Sequence, residues 1–67
     1  MDLTEKIKGF TQSQQTIIIS IVGSNLHIDD IIGATRLSAA VVLADLTMLE
    51  ISGAVVQLPG KIFKLTI

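Results

Sequence analysis

Apolar positions recur along this chain at two different spacings, and the change between them divides it. From Thr11 to Gly53 they fall mostly three and four residues apart, whereas from Ala54 onward they form short strand-like runs around a turn signal. In TQSQQTIIISIVG, Thr11 and Gln14 have the spacing of a capping box, and Gly23 can supply a left-handed residue after a helix end. The run IIISIV is ambiguous by itself. Its β-branched residues favour a strand, while Ile17, Ile18, Ile21 and Val22 fit one helical face, and the flanking start and stop signals decide for a first helix.

LHIDDIIGAT carries Ile28, Ile31 and Ile32 at helical spacing, with Asp29 and Asp30 in the first turn, where the helix dipole favours negative charge. That is a second helix, preceded by a very short extended segment at Leu26 and His27. Ser38 is a good N-cap for the third, in which Val42, Leu46 and Leu49 form one stripe and Gly53 follows as the C′ residue.

The end, AVVQLPGKIFKLTI, gives two strands around LPGK. Pro59 presets its φ and Gly60 accepts the positive φ of a type II turn. Phe63, Leu65 and Ile67 alternate with Ile62, Lys64 and Thr66, so the last strand has an inner and an outer face. The opening MDLTEKIKGF has no clear period. It reads as an arm or linker end over residues 1–12, with room for a short helix around Leu3 to Ile7, before a folded domain over 13–67. Three helices followed by a hairpin is the order of a winged helix: an α+β fold with a helix-turn-helix core and a β-hairpin wing.

Composition limits what such a domain does. At 67 residues it is one small unit that buries only about 60% of the surface its unfolded chain exposes, so the core must be rich. It is: 49% of residues are hydrophobic, mostly aliphatic, and mean hydropathy is +0.68. With no cysteine the fold holds by packing, without disulfides or thiolate metal sites. The apolar runs break well short of the ~18 residues of a membrane span, and the start lacks the basic-then-apolar order of a signal peptide, so a cytoplasmic location is expected. Net charge is −1, unusual for a chain whose main task is gripping phosphates. Its basic residues are spread over Lys6, Lys8, Arg36, Lys61 and Lys64, while strong binders make roughly 6 to 10 phosphate contacts.

The string LHIDDIIGATRLSAAVVLADLTMLEISGAVVQLPGKIF resembles the C-terminal winged-helix domain of the DprA (Smf) family of DNA-processing proteins. The features that carry the likeness are LHIDD at the start of the second helix, the late Leu49-Glu50 pair with Gly53 after it, and the LPG turn leading to Phe63. It covers roughly residue 13 to the end. The resemblance implies a module of a larger protein whose central Rossmann-like domain binds single-stranded DNA and helps load RecA in natural transformation; that central domain is absent here. Two positions depart from the family pattern. Arg36 stands in the turn between the second and third helices where glycine is common, at a cost of about 1 kcal/mol or more if its φ is positive. Asp45 lies at the edge of the third helix's core stripe, where similar domains tend to be apolar.

No catalytic constellation emerges. His27 with Asp29 and Asp30 invites a metal or acid-base reading, but neighbouring carboxylates on a helix diverge, one His supplies one ligand, and helix starts attract acids anyway. No enzyme activity, cofactor, metal or small-molecule substrate is expected. The third helix has the position of a recognition helix without its chemistry. Opposite Val42, Leu46 and Leu49 lie Ala40, Ala44, Thr47 and Ile51, with Val41 and Met48 beside them, and only Thr47 there has a hydrogen-bonding side chain. Base edges are met by Arg, Lys, Asn or Gln.

An uncharged apolar face of this kind marks a partner surface, so Ala40, Ala44, Thr47, Met48 and Ile51 are the candidate protein interface. The partner is another copy or another domain of a DprA-like protein. The competing reading is that the chain's own Leu3, Ile7 and Phe10 cover this face. Arg36, Lys61 and Lys64 are the candidate nucleic-acid contacts, and binding through them would be weak, non-specific and salt-dependent. A small stand-alone regulator, consistent with the Met1 start, is a third alternative.

Overall fold

A computed structural model describes residues 2–67; Met1, on which the stand-alone alternative rests and with which the arm begins, lies outside the described residues. Helix α1 spans Leu3–Ile7, capped by Asp2, whose side chain accepts from the Glu5 amide at 3.1 Å. It is more than an arm lying on the surface: Ile7 is buried in the core, and Leu3 and Phe10 pack against it.

Helix α2, Gln12–Ser20, begins with the expected capping box. The Gln14 amide donates to Thr11 Oγ1 at 3.3 Å and the Thr11 amide donates to Gln14 Oε1 at 3.1 Å. Ile17, Ile18 and Ile21 are buried, but Val22 is 48% exposed, contrary to its place in the helical stripe. The helix stops at Ser20 and Ile21 already departs from helical φ/ψ, so Val22 no longer follows the 3.6-residue period. Gly23 then takes the left-handed φ of +79° that turns the chain away.

Strand β1 is the short Leu26–His27 pair, which leads directly into helix α3, Ile28–Thr35. Helix α4, Ala39–Ser52, is capped by Ser38, whose hydroxyl accepts from the Val41 amide, and is terminated by Gly53 at φ +82°. At that end the Ala54 amide donates to the Leu49 carbonyl, satisfying one of the orphaned acceptors of the last turn. Helices α3 and α4 meet at 115°, within the range of a helix-turn-helix, through the turn of Arg36, Leu37 and Ser38.

Strands β2 (Val55–Leu58) and β3 (Ile62–Leu65) form the wing hairpin, antiparallel with Val55 opposite Leu65 and Leu58 opposite Ile62. The sheet has a third member. β1 pairs antiparallel with β3, placing Leu26 opposite Phe63 and His27 opposite Ile62, in the order β1-β3-β2. The wing is thereby stitched to the start of α3 and is not a free hairpin. One core joins all layers: Ile7, Ile17, Ile18, Ile21, Ile31, Val42, Leu46, Leu49, Ala54, Val55 and Phe63. The α+β winged-helix architecture expected from the element order is the one found. Among the described residues no single helix is long and apolar enough to cross a membrane.

Candidate functional site

Helix α4 has apolar side chains on every side of its axis. Val42, Leu46 and Leu49 are buried, as the stripe requires. Ala40, Ala44, Thr47, Met48 and Ile51 are all exposed on the opposite side, Met48 at 56% and Ile51 at 76%. Leu43 flanks them at 54% and Val41 is also exposed. A helix that is hydrophobic all round belongs in an interior, so a half-exposed one presents a surface suited to being covered. The N-terminal segment does not cover it: Ile7, Leu3 and Phe10 are spent on the core, and Met48 and Ile51 stay open to solvent.

Polar groups on α4 are directed away from this face or satisfied locally. Asp45 is half-buried and accepts a hydrogen bond from Ser13 Oγ at 2.5 Å, tying α4 to α2 across the fold. This is the compensation for an acidic residue at the edge of the core stripe. Thr47, the one hydrogen-bonding side chain of the outer face, donates its hydroxyl proton to the Leu43 carbonyl at 3.0 Å. Its donor is therefore occupied within the helix.

Beside the outer face, α3, α4 and the wing enclose an open groove of about 370 Å³. Ile28, Ile32, Leu43, Leu46 and Phe63 supply its apolar floor, while Asp29, Glu50, Gln57 and Lys61 contribute polar groups. Two carboxylates against one ammonium disfavour a phosphate chain in this groove. Periodicity alone does not reveal the groove, although Leu43 is an apolar residue roughly 100° off the core stripe, the one available sign of a second apolar surface.

The three candidate basic contacts are not brought together. Lys61 lines the groove, Lys64 lines a separate shallow depression with Ser24 and Asn25, and Arg36 lines neither. Two of them sit on left-handed backbone, Arg36 at φ 61° and Lys61 at φ 60°. For Lys61 the unusual conformation has a structural use. Pro59 and Gly60, the latter at φ +87°, make the expected turn, and Lys61 then aims its carbonyl at the amide of Ile28, which donates to it at 3.0 Å. The wing backbone thus accepts from one of the free amides at the start of α3.

His27 is the N-cap of α3. Its Nδ1 accepts from the Asp29 amide at 3.0 Å, which puts a lone pair on Nδ1 and the ring proton of the neutral form on Nε2. The Asp29 carboxylate lies 3.7 Å from the same nitrogen, and both Asp29 and Asp30 are exposed. These residues form a helix start, with the imidazole in the place usually taken by Ser or Asp.

Residues 11–61 match the family model described as the DprA winged helix domain. The match runs from the cap of α2 through the turn of the wing and so includes the whole of α4 and the groove beside it. No curated protein and no solved structure matches the chain.

Proposed function

This chain belongs to the DprA winged-helix domain family, and on that premise we propose that it is a non-enzymatic accessory module that works through protein contact. The contact surface is the outer face of α4: Ala40, Ala44, Thr47, Met48 and Ile51. The observation that carries this reading is the exposure of Met48 and Ile51 on a helix face that holds no Arg, Lys, Asn or Gln. Burial of such a face against protein is favourable, whereas a major groove offers its side chains little beyond thymine methyl groups. The partner is another copy of the chain or a domain of the larger, cytoplasmic DNA-processing protein to which such a module belongs. On this reading the module supports, by contact, a protein that handles single-stranded DNA, and reads no sequence itself.

Anisotropy titrations against labelled single- and double-stranded DNA at about 50 mM salt test this, since screening at higher salt only weakens electrostatic contacts. The expected result is binding that is absent, or weak and unchanged by Met48→Gln. Tight duplex binding that falls tenfold or more in Met48→Gln would overturn the proposal.

A further inference from the structure

The groove between α3, α4 and the wing sets an acid against its own helix beside an apolar floor. Glu50 lies in the last turn of α4, and no basic residue accompanies it there. The C-terminal end of a helix carries roughly half a unit of negative charge, so a carboxylate in that turn is repelled by its own backbone. Nothing in the fold offsets this. The Glu50 side chain is exposed and has no hydrogen bond or ion pair among the described residues, and Lys61, the one cation lining the groove, does not pair with it. The geometry points to an extended segment of a partner protein as the occupant of this groove, its neighbouring aliphatic side chains on the floor and an adjoining Arg or Lys on Glu50.

Shape selects an extended segment. At about 370 Å³ the groove falls toward the low end of the ~300–1,000 Å³ of sites that enclose small ligands. A helix with its side chains, ~10–12 Å across, is too wide for it. The α4 wall runs from Ala39 to Glu50, ~16 Å along the helix, which matches about five residues of extended chain at ~3.3 Å each. The floor reaches the core residues Leu46 and Phe63, while Leu43 stays exposed and Ile28 and Ile32 are half-buried. Aliphatic side chains laid there take this remaining apolar surface out of water. Gln57, opposite Phe63 in the hairpin, makes no side-chain hydrogen bond among the described residues and offers its amide to the segment's backbone.

Charge selects a basic one. Asp29 follows Ile28, whose amide donates to the Lys61 carbonyl, so the Asp29 carboxylate and the Lys61 ammonium offset one another around the start of α3. The charge left over is that of Glu50 and the helix end behind it. An acidic segment is repelled there, and a purely apolar one covers Glu50 without compensating it. This site is carried by different residues from the outer face of α4, since Met48 and Ile51 line no part of it.

The probes are three capped tripeptides: acetyl-leucyl-leucyl-arginine amide, the same peptide ending in glutamate, and acetyl-seryl-seryl-arginine amide. Each is titrated to about 10 mM into the 15N-labelled chain at low salt, because contacts of this size bind on the order of 1 mM. The leucyl-arginine peptide is expected to shift the amides of Ile32, Leu43, Glu50 and Gln57, and to bind at least fivefold more tightly than either of the others. Glu50→Gln is expected to weaken it about threefold, the size of an exposed ion pair, and Lys61→Gln to leave it unchanged or tighter. Urea unfolding supplies the readout that a structural role would reverse: without a partner, Glu50→Gln should be at least as stable as the unmodified chain, since it relieves the repulsion at the helix end. No shifts with any peptide, or equal binding of the arginine and glutamate forms, would overturn the inference. A Glu50→Gln chain that is less stable yet binds the peptide as well as before would make Glu50 a structural residue and overturn it too. Shifts that gather on Met48 and Ile51 and ignore Glu50→Gln would overturn the groove as the site while leaving the outer face of α4 as a protein contact.

Discussion

Replacing Arg36 by glycine should stabilise the domain, and the gain follows from one backbone angle. Arg36 ends α3 in the left-handed region, at φ 61° and ψ 16°. A side chain there brings Cβ close to the following carbonyl, at a cost of about 1–2 kcal/mol. Its own side chain returns nothing to offset this: it is exposed and makes no hydrogen bond or ion pair among the described residues. The useful contact at this position is the amide, which donates to the Ile32 carbonyl at 3.0 Å and is kept by glycine. Against the relief stands the greater freedom of glycine in the unfolded chain, worth about 0.5–1 kcal/mol. The expected balance is a gain of about 0.5–1 kcal/mol, or a rise in Tm of about 2–8 °C for a domain of this size. Arg36→Ala is the control, since it removes the charge but keeps Cβ and the strain. Thermal and urea unfolding, followed by circular dichroism, should order the three proteins with Arg36→Gly above both others. An Arg36→Gly protein no more stable than Arg36→Ala would show that the left-handed strain is not there.

Two further substitutions test the packing of the frame that holds α4. Gly33 lies inside α3, and a Cβ added there meets nothing within 4 Å. Gly33→Ala should therefore raise unfolding stability by about 1 kcal/mol through helix propensity alone, and a loss in urea unfolding would mean the site is crowded. Ser13→Ala removes the hydrogen bond to half-buried Asp45 and should cost about 1 kcal/mol, after discounting for the solvent that reaches the carboxylate. The double variant Ser13→Ala/Asp45→Ala should cost less than the two single changes added together; strict additivity in the double-mutant cycle would deny the coupling.

Features decided by neighbours in sequence are legible in the sequence alone. The capping box of Thr11 and Gln14, the Ser38 cap, the Gly53 stop and the Pro59-Gly60 turn each depend on a few adjacent residues, and each is present. The stripe of Val42, Leu46 and Leu49 is legible for the same reason, because one helix period decides which side is buried. Other features depend on distant partners. Pairing of Leu26 and His27 with β3, the bond from Ser13 to Asp45 and the groove between α4 and the wing all join segments far apart in the chain. Periodicity places Val22 in the core, but its burial turns on the residue at which α2 stops, and IIISIV continues apolar past that point. The left-handed Lys61 has no local signal either, since its conformation serves the amide of Ile28 on another element. The candidate interface needs only the helical period and side-chain chemistry, while the placement of Arg36, Lys61 and Lys64 on separate surfaces requires the fold.

Whether the outer face of α4 meets protein and not nucleic acid is tested most directly by one amide map. Two-dimensional 15N–1H spectra of the chain would be recorded on dilution from about 1 mM to 20 µM, and then at low salt with added single- and double-stranded DNA. Dilution is expected to move the amides of Ala40, Ala44, Met48 and Ile51, and DNA to leave them unmoved, with any shifts confined to Arg36, Lys61 and Lys64. DNA-induced shifts concentrated on Ala44, Thr47, Met48 and Ile51, with no change on dilution, would contradict a protein-contact role for α4.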